Sequence, residues 1–144
     1  MRLAILLTLL LSAGITQAQG PADAVFDRLS KTSLFAFGSV GVAATISQGE
    51  QDYDVILSRS SAKNDFERLF AIGTPEAKAY ALVGIHVLDP ARFEQLSLSL
   101  RDSKAEVETA SGCIVFKKTM VSILPEIRQG SYAPTKRSST KPAK

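Results

Sequence analysis

Apolar and small residues fill residues 79–88 without leaving a polar face, and the rest of the hydrophobic pattern flanks this run. A helix that is apolar all round is usually a buried one. Before the run, Thr74 suits an N-cap, Pro75 suits the first helical position, and Glu76 suits the positive first turn. The pattern therefore predicts a buried central helix over residues 74–89.

Helical spacing of apolar residues continues on both sides of this segment. Gly73 suits the end of a preceding helix, and Asp89-Pro90 repeats the cap-plus-proline start for a following one. Gly84 inside the central helix costs about 1 kcal/mol against alanine unless another element needs the space, and both cases stay open. The spacing predicts further helices over about residues 21–29, 48–58, 61–72, 90–100 and 120–129.

The segment over residues 32–46 is rich in glycine and does not give one answer. Its apolar residues fit a helical face, but its glycines also fit a loop, so both structures stay open. Ser47 and Glu50 have the spacing of a capping box, which favours a helix start at Gln48. We expect a break in helical structure before that point.

Residues 107–118 also depart from helical spacing. They are rich in β-branched side chains and contain Gly112, so they form either an extended stretch or a packed loop. Helices joined by turns as short as those around the central one are typical of stacked antiparallel hairpins, packed as in HEAT-type repeats. The predicted fold class is mainly α: a compact single-domain array of about five helices with one irregular or extended segment near Cys113.

The first 18 residues have the three parts of a secretory signal peptide. Arg2 supplies the positive start, residues 3–11 are apolar, and Ala18 is a small residue at the predicted cleavage site. A membrane anchor is the alternative, but the apolar run is short for the roughly 30 Å of hydrocarbon in a bilayer. We expect an exported protein, periplasmic or secreted, with a signal peptide at 1–18, a single helical domain at 19–132 and a disordered basic tail at 133–144.

The net charge of the chain is +3, from 17 basic and 14 acidic residues. Arg2 belongs to the signal, and four cations belong to the tail. The remaining body therefore has 12 basic residues against 14 acidic ones. A nucleic-acid-binding patch on the folded body is not indicated, because the basic excess lies in the tail.

His86 and Cys113 are candidates for chemistry, since the chain has one histidine and one cysteine. A catalytic histidine needs an orienting carboxylate or a nucleophile, which Asp89 or Glu94 could help supply. A reactive cysteine needs a nearby cation, such as the lysine pair that follows Cys113. The structural alternatives are a histidine at a helix edge and a small buried cysteine. One Cys and one His are too few for the usual set of zinc ligands.

Ser39 is the third candidate, because Gly38-Ser39-Val40-Gly41 resembles part of a nucleophile elbow. Phe37 stands where that motif needs its first glycine. The segment is not a phosphate loop either, since no Gly-Lys-Ser/Thr follows it. We interpret these glycines as small residues that allow close packing.

Glu50, Asp52 and Asp54 form an acidic run without the other residues of a calcium loop. We interpret the run as a solvated helix face. The sequence therefore indicates no catalytic, cofactor-binding or metal-ligating residue, and we expect no cofactor.

Four blocks of the sequence are similar to blocks in a group of small exported bacterial proteins. The blocks are FAFGSVGVAATISQGE, GTPEAKAYALVGIHVLD, SGCIVFKK and IRQGSY. Some members of that group are encoded in microcin gene clusters. The resemblance covers about residues 34–132 and implies an exported single-domain protein, but it transfers no catalytic residue.

The predicted function is a non-enzymatic interaction with another protein, as in an inhibitor or an immunity-type module. The lack of catalytic motifs, the stacked helices and the resemblance all favour it. The alternative is a small hydrolase or thiol enzyme, which requires at least two of His86, Cys113 and Ser39 to converge in a cleft. We expect neither nucleic-acid binding nor a membrane span after signal cleavage.

Overall fold

The computed structural model describes residues 21–132, with side chains described from Ala24 onwards. Within this range the chain forms six helices and two two-stranded antiparallel sheets, so the fold is mixed α/β. The prediction of a mainly α array of about five helices is wrong. The predicted signal peptide and basic tail lie outside the described residues. In chain order the elements are α1 (Pro21–Ser30), β1 (Ser39–Val40), β2 (Thr45–Ile46), α2 (Gln48–Leu57), α3 (Ala62–Ile72), α4 (Pro75–Leu88), α5 (Pro90–Ser99), β3 (Glu106–Ser111), β4 (Ile114–Thr119) and α6 (Met120–Arg128).

The central helix α4 is the buried helix that the hydrophobic pattern predicts. Thr74 caps its start by accepting a hydrogen bond from the Ala77 amide at 3.2 Å. Asp89 ends α4 and caps α5, accepting a hydrogen bond from the Arg92 amide at 3.0 Å. Every residue from 79 to 85 is buried. Because α4 packs against α2, α3, α5, α6 and β3, its whole circumference lies in the core.

The structure also contains the other predicted helices, close to the residues where the spacing placed them. Gly73 ends α3, and its amide donates to the Leu69 carbonyl at 2.9 Å. Ser47 caps α2 by accepting a hydrogen bond from the Glu50 amide at 3.1 Å. Turn and cap residues therefore set the helix ends, as the sequence indicated.

The segment near Cys113 is a β-hairpin, which decides between the two structures left open there. β3 and β4 pair antiparallel, with Ser111 opposite Ile114 across a two-residue turn. Gly112 in that turn has a φ of +56°, a left-handed conformation that glycine adopts without strain. The β-branched residues on either side of the turn suit the two extended strands.

The glycine-rich segment contains a second, smaller hairpin, and it supplies the other part of the β structure. β1 and β2 pair antiparallel across the turn between Val40 and Thr45. Just before β1, the Phe35 amide donates to the Glu108 carbonyl at 2.8 Å. The chain from residue 35 to residue 41 therefore runs beside β3, and the two hairpins form one side of the molecule.

None of the helices described within residues 21–132 is long and apolar enough to cross a membrane. The most apolar of them, α4, has 14 residues. A helical span of the hydrocarbon layer takes about 20 residues. The apolar surface of α4 is instead covered by its neighbours in the fold.

Gly84 lies where α3 crosses α4. A Cβ atom built at Gly84 would lie 2.4 Å from Cε2 of Phe66, which is too close for a real contact. Phe66 is fully buried, so its ring occupies the space that a side chain would need. The close approach of α3 thus gives a physical reason for a glycine inside this helix.

Gly84→Ala should therefore destabilise the protein by about 1–3 kcal/mol, although alanine has the better helix propensity. The added methyl group must displace the Phe66 ring. Chemical denaturation measures the free energy of unfolding, and Val87→Ala, at an exposed position of the same helix, is the matched control. The control should change that free energy by less than about 0.5 kcal/mol. A stabilising effect of Gly84→Ala would contradict the close crossing of α3.

Candidate functional site

A buried hydrogen-bond network attaches the chain at Ala36 to α2 and α4. The Tyr80 hydroxyl accepts a hydrogen bond from the Ala36 amide at 3.0 Å and donates one to the Ala36 carbonyl at 2.8 Å. Ser47 Oγ donates to the same carbonyl at 2.9 Å. Gly49 leaves room for the phenol, since a Cβ there would lie 2.6 Å from the Tyr80 hydroxyl. Tyr80 of α4 and Ser47, the N-cap of α2, thus hold the backbone of Ala36 in place, three residues before β1.

Glu50 extends this network to the start of β1. Its Oε2 accepts a hydrogen bond from the Gly38 amide at 2.7 Å, and the residue is only 1% exposed. The predicted cap at Ser47 is present, while the Glu50 carboxylate reaches the Gly38 amide across the loop. A hydrogen bond to a charged acceptor is a strong one, so it fixes the point where the smaller hairpin begins.

Asp52 is the second buried carboxylate on α2 and is 2% exposed. Arg28 of α1 binds it through Nε at 2.7 Å and also through Nη2, and Gln48 donates from Nε2 at 3.0 Å. Hydrogen bonding to Asp52, and then its charge, raise the pKa of Arg28. The interpretation of the acidic run as a solvated helix face is wrong for Glu50 and Asp52, because both find donors inside the fold.

Backbone conformation explains the glycines around Ser39. Gly38 has a φ of +83° and Gly41 a φ of +72°, values that favour glycine. Nothing lies within 4 Å of a Cβ built at either position, so the interpretation as small residues for close packing is wrong. The Gly41 amide donates to the Gly112 carbonyl at 2.8 Å. This bond joins the turn of the smaller hairpin to the turn of the larger one.

The two joined turns expose apolar side chains to solvent. Val42 is 97% exposed, Ile114 68% and Val115 58%. Cys113 lies in the turn of the larger hairpin, directly before Ile114, and it is exposed and free. We call Val42, Cys113, Ile114 and Val115 the hairpin-tip surface. The bond between Gly41 and Gly112 holds these exposed apolar residues at the same end of the two hairpins, so we take this surface as the candidate functional site.

An aromatic cleft of about 260 Å³ lies beside β3 and β4, lined in part by Phe37, Phe116 and Tyr132. Lys118 Nζ donates to Glu126 at 2.6 Å, and the Tyr132 hydroxyl donates to the same carboxylate. Burial acts to raise the pKa of Glu126, but the hydrogen bonds from Lys118 and Tyr132 and the lysine charge outweigh it and lower that pKa. Glu126 therefore stays ionised and ties β4 to α6.

His86 lies at the edge of α4, with its ring packed edge-on against Phe93 at a centroid distance of 4.9 Å. Glu94, one predicted partner, binds Arg128 of α6 with both carboxylate oxygens at 2.7 Å. That hydrogen bonding is the main reason why the pKa of Glu94 is lowered. Asp89, the other predicted partner, caps α5 and binds a lysine of α3. Both carboxylates thus bind other cations, although Glu94 lies close enough to His86 for this residue to contribute to its lowered pKa.

Cys113 and Ser39 lie on the two hairpins, and neither meets His86. Cys113 is exposed, so the interpretation as a small buried hydrophobe is wrong. Ser39 lies exposed in β1. Among residues 21–132, no hydrogen bond or ring contact joins His86 to either of them. The same range contains no group of three His, Cys, Asp or Glu side chains placed to hold a metal ion.

Comparison of the chain with known protein families, with curated proteins and with solved structures found no match. The functional argument therefore rests on the geometry of this fold. The similarity to the exported proteins of microcin gene clusters stays a prediction.

Sequence reasoning missed the hairpin-tip surface and the network beneath it, although two local signals were present. Gly112-Cys113 separates two β-branched runs by two residues, which is the spacing of a tight hairpin. Phe35 and Phe37 alternate around a small residue, as apolar residues of a strand do. The bond between Tyr80 and Ala36 joins residues 44 positions apart and has no local signal.

Removing the hydroxyl in Tyr80→Phe should cost about 1–3 kcal/mol of unfolding free energy, because the Ala36 amide loses its buried partner. Hydrogen exchange should also accelerate at the Ala36 amide more than at amides within α4. Tyr132→Phe is the control, since it removes a hydroxyl that bonds Glu126 and leaves Ala36 untouched. Unchanged exchange at Ala36 in Tyr80→Phe would contradict the network.

Alkaline unfolding should report on all three tyrosines at once, because the chain has no others. Burial raises the pKa of Tyr53, Tyr80 and Tyr132 above the ordinary value of about 10. The stability that comes from keeping these phenols neutral is fully present below about pH 10 and is lost as the pH rises beyond it, since the unfolded chain ionises first. Phenolate absorbance should therefore rise together with the loss of helical circular dichroism. Absorbance that rises near pH 10 while the helix signal stays constant would disprove the burial of these groups.

Proposed function

We propose that this protein is an exported, non-enzymatic interaction module of the inhibitor or immunity type, which binds another protein through the hairpin-tip surface. The observation that carries the proposal is the exposure of Val42, Ile114 and Val115 on two turns joined by a backbone hydrogen bond. Apolar surface in water is unfavourable, and a partner that covers it makes binding favourable. These turns do not present an exposed cleft with convergent catalytic groups, which an enzyme would need.

The hairpin-tip surface is held in place from below, which suits recognition. Glu50 fixes Gly38 where the smaller hairpin begins, and Tyr80 fixes Ala36 two residues earlier. Gly41 then fixes this hairpin to Gly112 of the larger one. A surface that is already ordered loses little conformational freedom when it binds, and this favours affinity.

The chemistry of the surface indicates the kind of partner. Residues 38–47 and residues 110–116 contain no charged side chain. The first charge after the larger turn is Lys117, which is paired with Glu106 at 3.4 Å. The complementary surface on the partner should therefore be apolar, and the complex should depend only weakly on salt concentration.

The resemblance to exported proteins of microcin clusters supports the same proposal. The first block, FAFGSVGVAATISQGE, contributes Ala36, Gly38, Ser47 and Glu50 to the network. The GCI block forms the exposed turn of the larger hairpin. The first and third of the four similar blocks thus build and support one surface.

Site-directed cross-linking tests this proposal. The chain has a single cysteine, so a photoactivatable maleimide attaches only at Cys113, inside the hairpin-tip surface. Illumination in a periplasmic extract of the producing cell should yield a discrete adduct with one protein. The matched control is Cys113→Ser combined with Ser122→Cys, which moves the probe to an exposed position on α6 and should yield no such adduct.

A second variant separates recognition from folding. Val42→Asp with Val115→Asp replaces two exposed residues, so circular dichroism and the melting temperature should change little. The Cys113 adduct should nevertheless be lost, because a carboxylate buried in an apolar contact is unfavourable. The proposal fails if the adduct persists in this variant or if the probe at position 122 gives the same adduct.

A further inference from the structure

The aromatic cleft beside β3 and β4 lies next to the hairpin-tip surface. Ile114 and Phe116 are two residues apart on β4, so their side chains lie on the same face of the hairpin. Ile114 belongs to the hairpin-tip surface, and Phe116 lines the cleft. Ser111, which pairs with Ile114 across the turn, lines the cleft as well. A partner that covers the hairpin tip therefore lies beside the cleft.

Three aromatic rings line this cleft, and one of them lacks a ring neighbour. Phe37 and Tyr132 pack on each other with centroids 5.9 Å apart, and both pack on the buried ring of Phe35. Phe116 is 37% exposed, and its ring contacts the Lys118 ammonium, 5.6 Å from the centroid, but no other ring of the described residues. Aromatic rings attract one another at centroid distances of about 4.5–7 Å. Phe116 can therefore take a further ring as its neighbour.

Thr109 gives the cleft a polar group without a partner. It stands opposite Phe116 in the antiparallel pairing, so the two side chains are neighbours on one face of the hairpin. The residue is 4% exposed, and its Oγ1 forms no hydrogen bond within residues 21–132. The unpartnered hydroxyls of Tyr53 and Ser97 are fully enclosed, whereas that of Thr109 is not, and Thr109 lines the cleft. Buried hydroxyls nearly always have a partner, so this one calls for a partner that enters the cleft.

The charges in the cleft are balanced, and the cleft is small. Lys118 Nζ binds both carboxylate oxygens of Glu126, at 2.6 and 2.8 Å. Among the described residues that line the cleft, no other is charged, so a charged ligand would meet no unpaired counter-ion. The volume of about 260 Å³ lies below the roughly 300–1,000 Å³ of sites for drug-sized ligands. The cleft therefore suits a neutral group of one or two rings.

We propose that the cleft receives an aromatic side chain of the protein partner that carries a hydrogen-bond donor, as tryptophan and tyrosine do. The ring packs against Phe116, and the donor binds Thr109 Oγ1. Tryptophan and tyrosine are enriched among the residues that anchor protein interfaces by filling a pocket. This inference rests on the proposed function, because the hairpin-tip surface brings the partner to the cleft.

Indole, the side-chain group of tryptophan, tests the cleft without the partner. In a titration followed by NMR, the amide signals of Thr109 and Tyr132 should shift with saturating dependence on indole. Thr109→Val keeps the β-branched shape that suits a strand and removes the hydroxyl, so the variant should fold as the parent does. It should bind indole about fivefold more weakly, because one hydrogen bond is lost.

Two controls isolate that hydrogen bond. 1-Methylindole has no N–H group, so it should bind the parent and Thr109→Val with equal affinity. Thr45→Val removes an exposed hydroxyl of β2, outside the cleft, and should leave the affinity for indole unchanged. The inference is overturned if indole shifts no signal of the cleft, if 1-methylindole loses as much affinity as indole, or if Thr109→Val and Thr45→Val behave alike.

The photoactivatable probe at Cys113 tests whether the partner uses the cleft. Saturating indole should reduce the yield of the adduct in the parent, and Thr109→Val should reduce it without indole, whereas Thr45→Val should form the adduct as the parent does. An adduct that forms undiminished in Thr109→Val and in saturating indole overturns this inference and leaves the proposed function standing. Absence of any adduct in the parent overturns both.

Discussion

The Tyr80 hydroxyl is the interaction on which the arrangement of the two hairpins depends. Its ring belongs to the core around α4, and its oxygen takes both backbone hydrogen bonds of Ala36. A residue whose backbone groups are satisfied by a side chain in this way needs no neighbouring strand on that side. The chain can therefore leave the core at Ala36, turn through Gly38, and form a hairpin of only two residues per strand.

Two buried carboxylates on α2 make this arrangement specific. Glu50 and Asp52 are costly to bury, and each is stabilised only where its donors are, at Gly38 and at Arg28. A shift of α2 relative to α1 or to β1 would leave a charge inside the fold without a partner, which is strongly unfavourable. Aliphatic side chains at these positions could pack in several arrangements, whereas the carboxylates find hydrogen-bond donors in only a few. The buried charges thus set the position of the smaller hairpin.

The sequence predicted the helices well and the β structure poorly, for physical reasons. Helix ends depend on local chemistry, such as the caps at Thr74 and Ser47 and the stop at Gly73, and all of these can be read within a few residues. The hairpin at Gly38 is different, because its strands are too short to show alternation, and its stability comes from Tyr80, far away in the chain. The burial of Glu50 and Asp52 follows from those long-range contacts, so spacing alone suggested a solvated face. The fold class was wrong for the same reason.

The composition of β4 leaves an apolar surface for a partner but limits uncontrolled pairing of the strand with other chains. An exposed apolar edge strand invites pairing with other chains, and charged residues along the strand are a common protection. In β4 the apolar residues end at Phe116, and Lys117 and Lys118 follow at once. Lys118 binds Glu126 at 2.6 Å, which holds it beside α6, and Lys117 lies 3.4 Å from Glu106 in an exposed pair. The exposed apolar surface is therefore confined to the turn and the first three residues of β4, which is too short to add a long strand but is open to a shaped pocket.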